Sequence, residues 1–159
     1  RNHQTFFTDN WLGGMYGSSG ILGTKSGGPI ASAWAMVQYF GHDGYRDLAL
    51  TARKVALEIA RHIDAIPELV LRAEPDTTLL CIGAKDPQTL PIFSVSRALR
   101  KNGWYVDEQT PPDSIHLTVN VVHENRVAEF VADLKAAVQL ALENAASTTS
   151  SAPLPYGSV

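Results

Sequence analysis

The glycine-rich segment GGMYGSSGILGTKSGGP, residues 13–29, constrains the fold more than any other part of the sequence. Its small and hydroxyl-bearing residues cannot form the apolar face that a core helix or strand presents. Its last residue, Pro29, suits the first turn of a helix, where a missing N–H costs no hydrogen bond. Four apolar residues then follow at helical spacing: Ile30, Trp34, Val37 and Phe40. We therefore expect residues 1–28 to be loop-like and to lead into a helix N-terminus.

A second helix follows a short break. The letters GHDG at 41–44 interrupt the first helical pattern, and a new pattern runs from about Tyr45 to Ile63. Its apolar stripe consists of Leu48, Ala52, Val55, Ile59 and Ile63. The charged residues of the segment fall largely elsewhere, so this helix has one face for a core.

From Pro67 onward the pattern is that of a small α+β unit. It predicts strands over 68–74 and 77–85, a helix over 90–103, strands over 104–109 and 114–122, and a helix from about Asn125 to Ala145. Gly103 suits the position after a helix end. The last helix turns six apolar residues to one side: Val127, Phe130, Val131, Leu134, Val138 and Leu142. The β-β-α-β-β-α order predicts a largely antiparallel sheet with helices on one face.

Composition excludes several classes of protein. The chain has 159 residues, 45% of them hydrophobic, with a net charge of −3, so a dedicated nucleic-acid binder is not expected. No apolar run approaches the ~18 residues of a membrane helix. The single cysteine, Cys81, cannot form an internal disulfide and favours an intracellular setting. These features predict a soluble, cytoplasmic protein.

The residues just before the first helix form a candidate anion site. Thr24, Lys25 and Ser26 place a hydroxyl and an ammonium beside the free N–H groups and dipole of a helix N-terminus. The spacing of the glycines matches neither a P-loop nor a dinucleotide-binding loop. The alternative is a mobile surface loop with ordinary helix capping. The residues alone leave both interpretations open.

Other candidate chemistry is weaker. No histidine pair has zinc-ligand spacing, so no metal site is expected. Cys81 lies inside an apolar strand pattern, which favours a core position over a nucleophile. Asp107 and Glu108 are interpreted as solvated strand-end residues rather than an acid–base pair. His116 is expected to point away from the apolar face of its strand.

The first block resembles the segment that follows the cofactor lysine in the sphingosine-1-phosphate lyase family. That family has the pattern W-x-G-G-x-Y-x-S-P-x-x-x-G-S-R-P-G-G, followed by a helix with a tryptophan and by F-G-x-x-G-Y. The matching residues are Trp11, Gly13, Gly14, Tyr16, Ser18 or Ser19, Gly23, Thr24, Gly27, Gly28, Trp34, Phe40, Gly41, Gly44 and Tyr45. RALRKNGW and PPDSIHLTVNVVH further along also look like the family, so the resemblance covers nearly the whole chain.

The resemblance implies a place within a larger enzyme. These lyases belong to the group II decarboxylase branch of fold-type I pyridoxal-phosphate (PLP) enzymes, which are α/β overall. Residues 1–64 would then be the end of the PLP-binding large domain with its linking helices. Residues 65–146 would be the small C-terminal α+β domain, and residues 147–159 a flexible polar tail. The cofactor implied is pyridoxal 5'-phosphate.

The resemblance also implies roles for particular residues. Gly23 and Thr24 would contact the PLP phosphate bound by the other subunit of a homodimer. Tyr16, Ser19 and Lys25 would border the substrate. Tyr156, in a PYG sequence that resembles the family's Y-G, would lie near the substrate phosphate. Lys25 replaces the family's arginine and Ser26 its proline, so Lys25 keeps the charge and loses the bidentate fork.

The groups that perform the chemistry are not found in this segment. In the family, the Schiff-base lysine, the aspartate on the pyridine nitrogen and the stacking histidine all belong to sequence upstream of Arg1. The reaction implied is cleavage of a phosphorylated long-chain base to a fatty aldehyde and phosphoethanolamine, with the missing N-terminal part and a second subunit as partners. One alternative is an amino-acid decarboxylase for glutamate or tyrosine. A third possibility is a non-catalytic α+β module for assembly or binding.

Overall fold

The structure is a computed structural model that describes residues 6–10, 12–18, 23 and 25–150, with side chains as far as residue 146. The chain divides into two compact units, Arg1–Asp43 and Gly44–Val159. The sequence predicted a domain boundary after residue 64. The contacts divide the chain earlier because the helix before residue 64 contributes Val55, Ile59 and Ile63 to the core of the second unit. The three predicted domain ranges stay predictions.

The first unit begins with a hairpin that the sequence did not reveal. Strands β1 (Phe6–Thr8) and β2 (Tyr16–Ser18) pair antiparallel, with Phe6 opposite Ser18 and Thr8 opposite Tyr16. The rings of Phe6 and Tyr16 contact each other with centroids 6.0 Å apart. The expectation of a loop over residues 1–28 is therefore wrong for these two strands. Three-residue strands are too short for apolar alternation to be recognised, and cross-strand aromatic contact stabilises them.

Helix α1 (Gly27–Asp64) contains the predicted break, but the break is one residue long. Gly41 has φ 59° and ψ −170°, which is not helical, and the positive φ lies in the region that glycine adopts without strain. The helix resumes at His42, whereas the sequence predicted a turn as far as Gly44. A glycine is sufficient for the interruption, so the polar residues after it remain helical.

The second unit has the predicted β-β-α-β-β-α order. Its elements are β3 (Leu69–Leu71), β4 (Leu79–Ala84), α2 (Ile92–Lys101), β5 (Asp107–Gln109), β6 (Ser114–Thr118) and α3 (Val127–Ser150). The four strands form an antiparallel sheet in the order β3-β4-β6-β5. Gly103 follows α2 with φ 88°, as expected for a residue just beyond a helix end.

The core lies on one face of this sheet. Alternate residues of the two central strands are buried there: Leu80, Ile82, Ala84, Ile115 and Leu117. The helices add buried residues to the same cluster: Val55, Ile59, Ile63, Val95, Leu99, Phe130, Leu134 and Val138. Because strand side chains alternate, Cys81 and His116 lie on the opposite, outer face. Cys81 is half-buried there, so its predicted core position is wrong.

Three predicted boundaries near the end of the chain need correction. Strand β6 ends at Thr118, and a 3₁₀ helix occupies Val121–Arg126. Asn120 starts that helix: its side chain accepts from the Val122 N–H at 3.1 Å, and the Asn120 backbone N–H donates to His123 Nδ1 at 3.0 Å. This reciprocal cap ends the strand pairing. Helix α3 continues to Ser150, into the predicted tail, and residues 151–159 lie outside the described residues.

A polar contact joins the end of α2 to α3. The Trp104 indole N–H donates to Asp133 Oδ2 at 2.6 Å, and the Asn102 amide donates to Oδ1 at 3.0 Å. The Trp104 ring packs edge-on against Phe130, and the guanidinium of Arg126 lies 5.0 Å from its centroid. One carboxylate thus accepts two hydrogen bonds from the segment after α2.

In the part of the chain that the structure describes, no helix has both the length and the apolar character required to cross a membrane.

Replacing Asp133 should destabilise the second unit. Asp133→Ala removes both acceptors, and we expect the free energy of unfolding to fall by about 1.5–3 kcal/mol, the scale for hydrogen bonds to a charged group. Asp133→Asn keeps one acceptor and should lose less. Urea denaturation monitored by circular dichroism measures both, with Gln139→Ala on the exposed side of α3 as the control. A loss for Asp133→Ala equal to that of the control would contradict the prediction.

Asp86, in the loop after β4, should titrate at low pH. Hydrogen bonds from the Thr89 hydroxyl and from the Gln88 N–H lower the pKa of Asp86 below its ordinary value. A depressed folded-state pKa stabilises the fold above the unfolded pKa of about 3.9, and this contribution is lost as the pH falls through the folded pKa. Thr89→Val should raise the pKa of Asp86 in a carboxyl NMR titration, whereas Thr77→Val should not.

Candidate functional site

The candidate anion loop is described on both sides of Thr24, which itself lies outside the described residues. Gly23 and Lys25 are exposed, and Gly27 starts α1. A Cβ added at Gly23 or Gly27 would meet no atom within 4 Å. These glycines therefore leave the backbone open to a ligand and are not required by packing within the described chain.

The charges around this helix start favour an anion. The first turn of α1 contains no acidic residue. Among the described residues, no carboxylate lies within ion-pair distance of Lys25. A lysine beside a helix N-terminus attracts negative charge.

The alternative interpretation, ordinary capping, is also present in the structure. Ser26 Oγ accepts a hydrogen bond from the Gly28 N–H at 3.4 Å. Pro29 has no N–H, and the Ile30 N–H is the first donor of the helix's own hydrogen bonds, so within the first turn the Gly27 N–H remains for an external acceptor. Capping and anion binding are therefore compatible, because they use different donors of the same turn.

Two further predicted substrate residues, Ser19 and Tyr156, lie outside the described residues. Tyr16 is described: it is half-exposed on β2, and its ring packs against Phe6. Within the described ranges, no hydrogen bond or ion pair connects Tyr16 with Gly23 or Lys25. The roles of all six residues therefore stay predictions: Gly23, Thr24, Tyr16, Ser19, Lys25 and Tyr156.

The structure modifies the interpretation of the other candidate residues. Gln109 Nε2 donates to Cys81 Sγ at 2.8 Å on the outer face of the sheet. Glu108 accepts from the Ser96 hydroxyl at 2.8 Å, so it links β5 to α2 and is not merely solvated. His116 Nδ1 lies 3.9 Å from Asp107 Oδ2. In the described ranges, no group of three or more His, Cys, Asp or Glu side chains is arranged to hold a metal ion.

One arrangement was not predicted from the sequence. Arg72, just after β3, lies over Gly83 of β4 and donates to Ser114, the first residue of β6, and to the Asp113 carbonyl just before it. A signal was available, because an isolated glycine inside a strand pattern often marks a close approach of another group.

The fold and sequence both have counterparts among known proteins. A sphingosine-1-phosphate lyase from Oryza sativa subsp. japonica is 33% identical over 91% of this chain, which corresponds to 26% of that protein. The solved structure of a sphingosine-1-phosphate lyase from Burkholderia pseudomallei has 31% identity and a TM-score of 0.78, covering 94% of this chain and 34% of that one. No protein-family model matches the sequence.

A decarboxylase structure shares the fold at lower identity. The glutamate decarboxylase of Lactobacillus brevis has a TM-score of 0.71 and 20% identity over 89% of this chain. The architecture is therefore that of fold-type I PLP-dependent enzymes, as the sequence predicted. Within that class, the chain is similar over nearly its whole length to part of the sphingosine-1-phosphate lyases, which confirms the resemblance. It spans about a quarter to a third of these relatives.

The described loop residues fit the phosphate end of PLP. They provide a cation at Lys25, an uncapped N–H group at Gly27, and glycines with open space beside them. A phosphate group requires such donors and positive charge, and no acidic residue of the first turn opposes it.

Removing the cap should expose a backbone donor. Ser26→Ala deletes the acceptor of the Gly28 N–H, and we expect faster amide hydrogen exchange at Gly28 because that N–H is then bonded only to water. Ser26→Asp restores an acceptor and should restore protection. Exchange measured by NMR at Gly28, with a buried amide of α3 as internal reference, checks this. Equal exchange in all three proteins would show that Ser26 does not cap α1.

Proposed function

We propose that this chain is part of a PLP-dependent carbon–carbon lyase that cleaves phosphorylated long-chain bases. The observation that carries the proposal is 33% identity to a sphingosine-1-phosphate lyase across 91% of the chain, with the same fold in a bacterial counterpart at a TM-score of 0.78. The bond broken joins the amine-bearing carbon to the hydroxyl-bearing carbon, and the products are a fatty aldehyde and phosphoethanolamine. Bound PLP supplies the electron sink for this cleavage.

The loop before α1 has a binding role in this proposal. Gly23 and Thr24 contact the PLP phosphate held by the other subunit, so each active site of a homodimer is completed in trans. The open backbone at Gly23 and the N–H groups at the start of α1 support this role. Tyr16, Ser19, Lys25 and Tyr156 are proposed to line the substrate side, where Lys25 acts as a point charge toward the substrate phosphate.

The exposed apolar side chains of the first unit indicate that other protein segments cover it. Ile30, Trp34 and Val37 follow one stripe of α1, and their exposed fractions are 60%, 67% and 53%. A stripe of this kind is typical of a surface that another protein segment covers. We infer that the second subunit and the N-terminal part of the enzyme provide that cover.

A cytoplasmic location is proposed only from the single cysteine.

Two other functions are distinguishable by experiment. A decarboxylase of the same branch is favoured by the shared fold with glutamate decarboxylase at a TM-score of 0.71. Release of carbon dioxide from glutamate or tyrosine, without aldehyde from a long-chain base phosphate, would establish it.

A non-catalytic assembly or binding module is favoured by the self-contained core of Gly44–Val159. That function predicts no PLP binding in any assembly that contains the chain.

The first experiment measures the intact mass and the visible absorption of the purified protein together. A mass above 17.2 kDa with the absorption band of enzyme-bound PLP supports the lyase proposal. The next measurement is then an assay for fatty aldehyde. A mass of 17.2 kDa without that band means that chemistry requires a partner chain. If the chain binds no PLP and shows no lyase activity even after the N-terminal part is added, the proposal is refuted.

Thr24 provides the residue-level test. In the PLP-bound enzyme, Thr24→Ala should weaken PLP binding by about 1.5–3 kcal/mol, the scale of a lost hydrogen bond to a charged group. Thr24→Ser keeps the hydroxyl and should bind PLP like the parent. Fluorescence titration of the apoenzyme with PLP measures both. Unchanged affinity in Thr24→Ala would remove this residue from the cofactor site.

A further inference from the structure

The outer face of the sheet carries a row of polar side chains that the proposed function does not use. The backbone N–H of Arg72 donates to the Cys81 carbonyl. In the strand register, Cys81 lies opposite His116, and His116 lies opposite Asp107. These four residues therefore lie side by side across adjoining chain segments. None of them belongs to the core cluster on the other face. A polar row on an open sheet face is available for a ligand.

The guanidinium of Arg72 lies directly on the backbone of β4. A Cβ placed on Gly83 would fall far inside van der Waals contact with Arg72 Nε, Cζ and Nη2. Gly83 is buried although it is on the outer face, because Arg72 covers it. The glycine therefore creates the space in which a flat guanidinium rests against the sheet.

One edge of this guanidinium is held by neutral acceptors. Arg72 Nε donates to Ser114 Oγ at 3.4 Å, and Nη2 donates to the Asp113 carbonyl at 3.2 Å. Ser114 is fully buried, and its hydroxyl proton is donated to the Pro112 carbonyl at 2.8 Å. The Ser114 oxygen is thereby oriented as an acceptor. These contacts fix the plane of the guanidinium without neutralising its charge.

The other edge has no protein partner in the described part of the chain. Nε and one Nη2 hydrogen form the edge that is used, so Nη1 and the second Nη2 hydrogen form a parallel pair that remains. Among the described residues, no carboxylate lies within 4.0 Å of Arg72, although Glu74 and Asp76 follow it in sequence. The pair matches the two oxygens of a carboxylate or phosphate group.

We propose that Arg72, positioned by Gly83 and Ser114, binds the carboxylate or phosphate group of a ligand on the outer face of the sheet. The neutral acceptors hold the fork in place before the ligand arrives, which reduces the entropy lost on binding. His116, two residues along the polar row, lies with its Nδ1 3.9 Å from the Asp107 carboxylate, and Arg72 is the cation of the site. The proposal stands on this geometry and not on the lyase activity.

The test is a titration with two simple oxyanions, sodium phosphate and sodium acetate, at constant ionic strength. Binding is followed in the whole chain by the backbone NMR signals of Gly83 and Ser114, which adjoin the guanidinium. We expect saturable shifts with at least one of the two anions. The tighter of the two identifies the ligand group as phosphate or carboxylate. The readout needs neither PLP nor activity, so failure of the lyase proposal would not affect it.

Three variants separate the fork from the charge. Arg72→Gln should bind at least about tenfold more weakly, equivalent to about 1.4 kcal/mol. Arg72→Lys keeps the charge without the fork and should also be weaker than the parent. Gly83→Ala keeps the arginine but pushes the guanidinium off the strand, so it should weaken binding as well.

The matched control is Arg97→Gln. Arg97 is another exposed arginine that donates to a serine hydroxyl, at 3.0 Å, and its replacement removes the same charge from α2. It should leave the affinity unchanged, and circular dichroism should show that every variant is folded. No saturable shift with either anion, or equal affinity in the parent and Arg72→Gln, would overturn the proposal. Equal losses in Arg97→Gln and Arg72→Gln would also overturn it, since net charge alone would then explain binding.

Discussion

The second unit depends on burying apolar side chains on one face of a four-stranded antiparallel sheet. Residues of β4 and β6 alternate between the two faces, so Leu80, Ile82, Ile115 and Leu117 meet the helices while Cys81 and His116 do not. A shift of one residue in the register would turn the apolar set to the outside. This constraint fixes the positions of the helices and leaves the opposite face polar. The outer-face arrangement around Arg72 follows from it.

Polar contacts then secure the connections between the elements. The Asp133 carboxylate joins the end of α2 to α3, and Asn120 ends β6 by capping the 3₁₀ helix. Ser96 on α2 donates to Glu108 on β5. In each case a short polar residue terminates an element or bridges two of them, while the apolar cluster supplies the main burial. The first unit has no comparable core among its described residues, and its apolar side chains along α1 remain exposed.

The two candidate anion sites use different physics. The loop before α1 offers backbone N–H groups, a helix dipole and one lysine, which together attract phosphate without fixing its orientation. Arg72 offers a planar fork whose plane is set by Ser114 and the Asp113 carbonyl. The first site is part of the function proposed from the relatives, whereas the second is independent of it. The chain thus carries positive charge in two distinct settings.

Sequence patterns alone predicted the element order from residue 67, the apolar stripes of α1 and α3, a helix break at 41–44 and the similarity to sphingosine-1-phosphate lyases. These features depend on periodicity, on glycine and on local residue patterns, which a single chain displays directly. The patterns did not reveal the β1–β2 hairpin, the end of β6 at Thr118 or the continuation of α3 to Ser150, because short strands and helix ends carry weak local signals.

For the candidate sites, the loop around Thr24 was predicted through resemblance, with a mobile surface loop and ordinary helix capping as the alternative. Three features became visible only in the folded chain: Cys81 lies on the outer face, Glu108 bonds Ser96, and Arg72 packs on Gly83 beside Ser114. Residues 72, 83 and 114 are far apart in the chain. Only the pairing of β3, β4 and β6 brings them together, and strand pairing is a long-range property that local sequence does not encode.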